Sequence, residues 1–159
     1  MAIQVSSLGK NKDFVVKGEI STESVDAYFT DLEGCHALRS LRYEAHLVNR
    51  GQYITLDVDL DTELELCCDR CGESFHRGFQ SHLALKLIEA SSVGDVDEIV
   101  LSEDDLDTIT YQASSIELED ILLESVYLEI DDQCLCSEQC KGICMNCGKN
   151  LNLGPCACS

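Results

Sequence analysis

The sequence predicts an α+β fold: an antiparallel sheet or partial barrel with one main helix and a cysteine-rich, metal-binding C-terminal tail. Three observations predict it. Apolar and polar residues alternate along two neighbouring stretches, Ile54–Leu66 and Phe75–Leu87, which is the period of a strand with one buried face. One later segment carries apolar residues at helical spacing, and seven of the 11 cysteines lie between Cys134 and Cys158.

The first third holds short strand-like runs, Asp13-Phe-Val-Val-Lys17 and Tyr43-Glu-Ala-His-Leu47, around a polar stretch with helical character near Ser24–Asp31. From Ile54 the alternation is regular: Ile54, Leu56, Val58, Leu60, Leu64 and Leu66 take one face, while Thr55, Asp57, Asp59, Asp61, Glu63 and Glu65 take the other. Such a run would span about 45 Å at about 3.3 Å per residue, so a bend or break is expected near Asp59–Thr62. A second alternation, with Phe75, Phe79, Leu83, Leu85 and Leu87 on its apolar face, follows Cys68-Asp-Arg-Cys71-Gly72. That places the CxxC at a hairpin tip, where Gly72 supplies the permissive dihedral such a turn often needs and backbone N–H groups can face thiolates.

Ser91–Asp107, rich in Ser and acids, reads as a solvated loop. A helix is expected next, begun by a capping box of Ser114 and Glu117, with Leu118, Ile121, Leu122, Ser125 and Val126 on one face and an end near Glu129. Residues 1–133 thus form a core domain, with the CxxC hairpin, acidic loop and helix, and residues 134–159 a zinc-binding tail packed on it.

Charge narrows the function. The formal net charge is −19, and residues 87–140 hold 16 acids and no base. A phosphate backbone needs Lys and Arg to displace its counterions, so a generic grip on nucleic acid is disfavoured, and the charge suits a solvated, soluble surface first and a basic protein partner second. No apolar run approaches the length of a membrane helix, and no export pattern opens the sequence, so a cytoplasmic setting is expected, with no membrane and no small-molecule substrate. In that reducing setting closely spaced thiols bind metal more readily than they form disulfides.

Zinc takes four thiolates in a tetrahedron, and each CxxC turn offers two. Cys68, Cys71, Cys144 and Cys147, in two elements that each end in Gly, can share one ion, with Cys136, Cys140, Cys156 and Cys158 building a second site. An alternative is a local tail site of Cys140, Cys144, Cys147 and either Cys156 or Cys158, leaving Cys68 and Cys71 as a half-site. One or two zinc ions are expected. Cys35 and Cys67 read as small apolar residues, Cys134 is left out of both sites, and of His36, His46, His76 and His82 only His76 is a spare ligand.

Catalytic readings fare worse. Cys140-x3-Cys144-x2-Cys147 copies the spacing that holds an iron–sulfur cluster in radical enzymes using S-adenosylmethionine, but only 12 residues follow, too few for a barrel. Neither CxxC opens a helix in a thioredoxin-like strand–helix–strand unit. No phosphate loop, serine elbow or His-Glu-x-x-His helix is present, so an enzyme is not expected.

The sequence resembles the YceD family, also described as large ribosomal RNA subunit accumulation proteins. The resemblance is carried by Cys68-Asp-Arg-Cys71, which closes a long alternating strand, and by Cys136-Ser-Glu-Gln-Cys140-Lys-Gly-Ile-Cys144-Met-Asn-Cys147-Gly-Lys-Asn-Leu-Asn-Leu-Gly-Pro-Cys156-Ala-Cys158. The order of a central C-x-R-C element, an acidic stretch with a helix and a terminal cysteine run matches the family pattern over roughly Val58 to Cys158, with Ile143 and Met145 replacing the usual Leu and Pro. The resemblance implies a non-catalytic ribosome biogenesis factor needed for accumulation of large-subunit ribosomal RNA. Its implied partners are the large ribosomal subunit precursor, ribosomal RNA or a basic ribosomal protein. Arg70 matches the family's central Arg and is the expected partner-binding residue.

With the acidity, this becomes an acidic, zinc-stabilised adaptor. The rivals are a zinc-ribbon regulator that grips nucleic acid through Arg70, Arg77, Lys86, Lys141 and Lys149, and an iron–sulfur or redox protein.

Overall fold

The computed structural model describes residues 2–90, 108–112 and 114–158. The strands are β1 (Ala2–Gln4), β2 (Asp13–Ile20), β3 (His36–Asn49), β4 (Ile54–Cys67), β5 (Ser74–Glu89), β6 (Thr108–Tyr111) and β7 (Ser115–Glu117). Two helices join them, α1 (Thr22–Tyr28) and α2 (Leu118–Glu129). Five strands form one sheet in the order β2-β3-β4-β5-β6, and β1 pairs with β7 in a second, two-stranded sheet.

Short connections make β3, β4 and β5 antiparallel neighbours, whereas β6 adds to β5 in parallel, Lys86 opposite Thr108 and Glu89 opposite Tyr111. The sheet is therefore mixed rather than wholly antiparallel. Its core follows the alternation read from sequence. Leu56, Val58, Leu64 and Leu66 of β4 are buried, as are Leu41, Ala45 and Leu47 of β3.

β4 runs unbroken, without the expected break near Asp59–Thr62. Thr62 stays on the buried face because its hydroxyl donates to the Arg39 carbonyl at 3.2 Å, while the Arg39 guanidinium donates to the Thr62 carbonyl at 3.3 Å. That exchange satisfies a polar side chain inside an apolar row. The division of the protein into two compact units does fall at this point. One unit comprises Met1–Glu19, Arg42–Asp61 and Gln80–Leu122, and the other Ile20–Leu41, Thr62–Phe79 and Leu123–Ser159.

α1 begins at Ser21, whose hydroxyl accepts from the Ser24 amide at 3.3 Å, and buries Val25. α2 ends at Glu129 as expected, but it begins later than the capping box implies. Ser115–Glu117 pair instead with Ala2–Gln4, placing Ile116 opposite Ile3 with both buried, and Ser114 adopts a positive φ of 59°. Strand pairing, with two apolar side chains covered, takes the backbone groups that a cap would have used. The helix buries Leu118, Leu122, Leu123 and Val126. The solvated loop expected at 91–107 lies outside the described residues, and among the described residues no helix is long and apolar enough to cross a membrane.

Candidate metal centres

The β4–β5 connection is a tight cysteine turn. The even-numbered buried row of β4 continues to Cys68, which is buried, and the backbone then doubles back: the Gly72 amide donates to the Cys68 carbonyl at 2.8 Å and the Cys68 amide to the Glu73 carbonyl at 3.0 Å. Gly72, at φ 70°, closes the turn in a conformation most side chains avoid. The tail repeats it. The Gly148 amide donates to the Cys144 carbonyl at 2.8 Å, the Cys144 amide to the Lys149 carbonyl at 2.8 Å, and Gly148 has φ 71°. The similarity of the two CxxC-Gly elements in sequence thus has a common backbone geometry.

The two turns do not share a centre. Cys68, Cys71, Cys136 and Cys140 form one group and Cys144, Cys147, Cys156 and Cys158 another, the sulfurs of each within 4.8 Å of one another. Neither expected arrangement, the shared site of Cys68, Cys71, Cys144 and Cys147 or the tail site built on Cys140, Cys144 and Cys147, is formed. The reason is the path of residues 134–140. The Asp69 amide donates to the Cys134 carbonyl at 2.8 Å and the Cys134 amide to an Asp69 carboxylate oxygen at 2.6 Å, so the tail segment is laid on the hairpin turn just before Cys136. Arg70 extends the join, with its guanidinium 3.4 Å from the carbonyls of both Glu138 and Cys140.

In the first group Cys68 Sγ and Cys140 Sγ are 3.7 Å apart and Cys71 Sγ and Cys136 Sγ 3.8 Å. Four sulfurs held about 2.3 Å from one zinc in a tetrahedron stand about 3.8 Å apart, whereas a disulfide needs about 2.05 Å. The donor set and its spacing fit a four-thiolate zinc ion and not a pair of disulfides. Cys68, Cys71 and Cys140 are buried, with Phe75 and Leu135 packed against them.

The surroundings favour thiolates at selected positions. Burial alone would raise the Cys68 thiol, but backbone N–H groups of Cys136, Cys71 and Arg70 outweigh it and hold the thiol at about 6. The Asn152 amide donates to Cys140 Sγ at 3.2 Å and, with the Gly142 N–H, lowers that thiol. The Cys136 thiol, by contrast, is pushed up to about 12, chiefly by its hydrogen bond with Cys140. Groups that hold some of the four sulfurs as thiolates suit a site whose ligands must be deprotonated to bind a cation. In the second group the Asn146 and Cys147 N–H groups bring the Cys144 thiol down to about 6.

Around these centres the structure places two residues that the sequence pattern does not single out. Asn152 also accepts from the Lys141 amide at 2.8 Å, joining the two halves of the tail, and Asp69 makes the interlock with Cys134. An Asn at that place in a cysteine-rich tail is a signal only once the fold puts it beside sulfur. His76 is not a ligand in either group; its ring stands 3.5 Å from a Glu65 carboxylate oxygen.

The family model described as large ribosomal RNA subunit accumulation protein YceD matches residues 56–159, well over half of the chain and all eight clustered cysteines. The chain belongs to this family. Among curated relatives of the YceD family, the chain is 31% identical over 134 residues to the chloroplastic large ribosomal RNA subunit accumulation protein YCED homolog 1 of Arabidopsis thaliana, covering 70% of this chain and 41% of that protein. It is 24% identical over 151 residues to the homolog of the same name from Zea mays, covering 80% of this chain and 52% of that one. The chain therefore spans about half the length of the curated relatives it matches. No solved structure shows a significant match.

Proposed function

We propose that this protein is a non-catalytic factor for the accumulation of large-subunit ribosomal RNA, an acidic adaptor whose tail is clamped to its core by one zinc ion and folded on itself by a second. One ion is held by Cys68, Cys71, Cys136 and Cys140, the other by Cys144, Cys147, Cys156 and Cys158. The observation that carries the reading is the family match, which spans both cysteine turns and every ligand of both centres. Each ion serves structure, since a site closed by four thiolates leaves no open position for substrate.

The adaptor role rests on charge. A protein of net charge −19, further weighted by about −2 for each four-thiolate zinc, attracts a basic ribosomal protein and repels bare RNA. The bases that a direct RNA reader would use are already engaged in part: Arg77 pairs with Asp131 at 2.8 Å, Arg70 holds tail carbonyls, and Lys86 lies 5.0 Å from the Tyr53 ring centre. These contacts favour the adaptor over the zinc-ribbon regulator. Arg70 remains at the exposed end of the hairpin, where it can meet a partner as well as brace the loop. The setting is the compartment that assembles the large subunit, the cytoplasm or, as the plant relatives' names state of them, the chloroplast.

The test is the ratio of large- to small-subunit ribosomal RNA in cells depleted of the protein and rescued with wild type, Cys68→Ser or Cys71→Ser. A selective fall in the large-subunit RNA that wild type restores and the variants do not is expected. An unchanged ratio on depletion overturns the reading.

A further inference from the structure

The three cysteines outside both centres, Cys35, Cys67 and Cys134, line one cavity of about 370 Å³ within the second compact unit. Its apolar lining comes from Leu32, Leu66, Ile130 and Tyr127, and its carboxylates are Asp31, Glu33, Asp69, Asp131 and Asp132. Asp69, Asp131 and Asp31 already serve the fold, through the Cys134 amide, Arg77 and the Tyr127 hydroxyl respectively. The side chains of Glu33 and Asp132 are exposed and have no such partner among the described residues.

Two further observations point to an occupant. Cys35 is only 6% exposed, lines the cavity and has a thiol with no hydrogen-bond partner among the described residues. Tyr127, held against Phe29 with ring centres 6.1 Å apart and planes 19° from parallel, lines this cavity and also a second one of about 340 Å³. That second cavity shares Asp31 as well, and adds Tyr28, Glu124 and Leu128, the last 76% exposed. A fixed aromatic ring lining two hollows, beside apolar side chains and carboxylates, matches the chemistry of Lys and Arg: methylene stems cover apolar surface while the cationic heads meet aromatic rings and carboxylates.

A metal ion fits less well, because these three cysteines are not among the groups whose ligand atoms converge within 4.8 Å. RNA is repelled by the same carboxylates. We infer that this double hollow is the docking groove for an extended, Arg- and Lys-rich segment of a protein partner, one basic side chain seated in each hollow that Tyr127 lines. The inference rests on the adaptor reading above and names the surface that would carry it.

The experiment uses the full-length, zinc-loaded protein and a fluorescein-labelled Arg-Gly repeat peptide, with a Glu-Gly repeat as the control, followed by anisotropy across a salt series. Glu33→Gln combined with Asp132→Asn removes two exposed charges from the groove; Asp57→Asn combined with Glu117→Gln removes two exposed charges from the other unit. The groove variant is expected to bind the Arg-Gly peptide roughly fivefold to tenfold more weakly, and the control variant less than about twofold. Equal losses in the two variants would reduce the interaction to bulk charge and overturn the groove. So would absence of Arg-Gly binding to the wild-type protein, or a groove variant that loses a third equivalent of Cd²⁺ or affinity for a single-stranded RNA oligomer in place of the peptide. Unchanged circular dichroism and zinc content keep the comparison valid. The ribosomal RNA ratio is read separately, so a failed groove leaves the rRNA role standing, and a failed role leaves peptide binding to be judged alone.

Discussion

The two cysteine centres have the same turn geometry but different positions along the sequence. The first draws Cys68 and Cys71 from a hairpin between two long strands and Cys136 and Cys140 from the tail, residues up to 72 positions apart, and three of its four cysteines are buried. The second takes all its residues from Cys144 to Cys158, and none of them is buried. Closing a longer loop removes more freedom from the unfolded state, and burial shields the sulfurs from competing water and chelators. With zinc bound as proposed, the first centre would cross-link the second compact unit and the second would staple the tail to itself.

The largest expected difference follows from removing one ligand from each. Cys71→Ser should lose about one equivalent of zinc and several kcal/mol of stability, a part of the roughly 10–16 kcal/mol that structural zinc contributes in small peptides. Cys147→Ser should lose one equivalent with a much smaller fall in melting temperature, because the cross-link survives. Metal analysis and thermal melts of both variants decide it, and equal falls in melting temperature would erase the distinction.

A subtler comparison uses the glycines. Gly142 and Gly148 both have positive φ, near 70°, but a Cβ at Gly142 would lie 2.9 Å from the Arg70 carbonyl oxygen, whereas one at Gly148 meets nothing within 4 Å. Gly148→Ala should cost about 1 kcal/mol, the usual strain of a left-handed alanine, and Gly142→Ala at least about 1 kcal/mol more. Denaturant melts yielding the same cost would show that the tail does not pack on the hairpin as closely as described. Equal to the smaller of these is Asn152→Ala, which removes donors and acceptors at Cys140 Sγ and the Lys141 amide and should cost about 1 kcal/mol with metal content intact. If zinc is lost along with stability in that variant, Asn152 controls loading of the first centre rather than bracing it.

Strand periodicity made β4 and β5 legible, since a sheet with one buried face imposes period two on any sequence that forms it. Ile54, Leu56 and Val58 alone would have located the core face. Short elements were less legible. Ser115–Glu117 carry a helix-start pattern, yet their partner, Ala2–Gln4, is more than 100 residues away in sequence, and no local pattern records it. The candidate centres divide in the same way. The eight cysteines that gather in the two groups were all named from cysteine spacing, but the matching CxxC-Gly elements suggested a single shared group that the fold does not make. Grouping the tail cysteines in sequence order, Cys136 with Cys140 and Cys144 onward together, would have found the arrangement.

What the sequence determined by itself was local or compositional: the alternation that makes the long strands, the glycine-closed turns that offer sulfurs in pairs, and the acid excess on which the proposed adaptor role rests. Each depends on residues within a turn or two of one another, or on composition, and so survives in one dimension. Only the tertiary structure decided which pairs of sulfurs meet, because that depends on the Asp69–Cys134 and Arg70–Cys140 contacts that lay the tail along the hairpin. It also decided that Cys35, Cys67 and Cys134, inconspicuous in sequence, line a single acidic cavity. Contacts between distant segments are set by packing of the whole core, and that information has no period or spacing to be read.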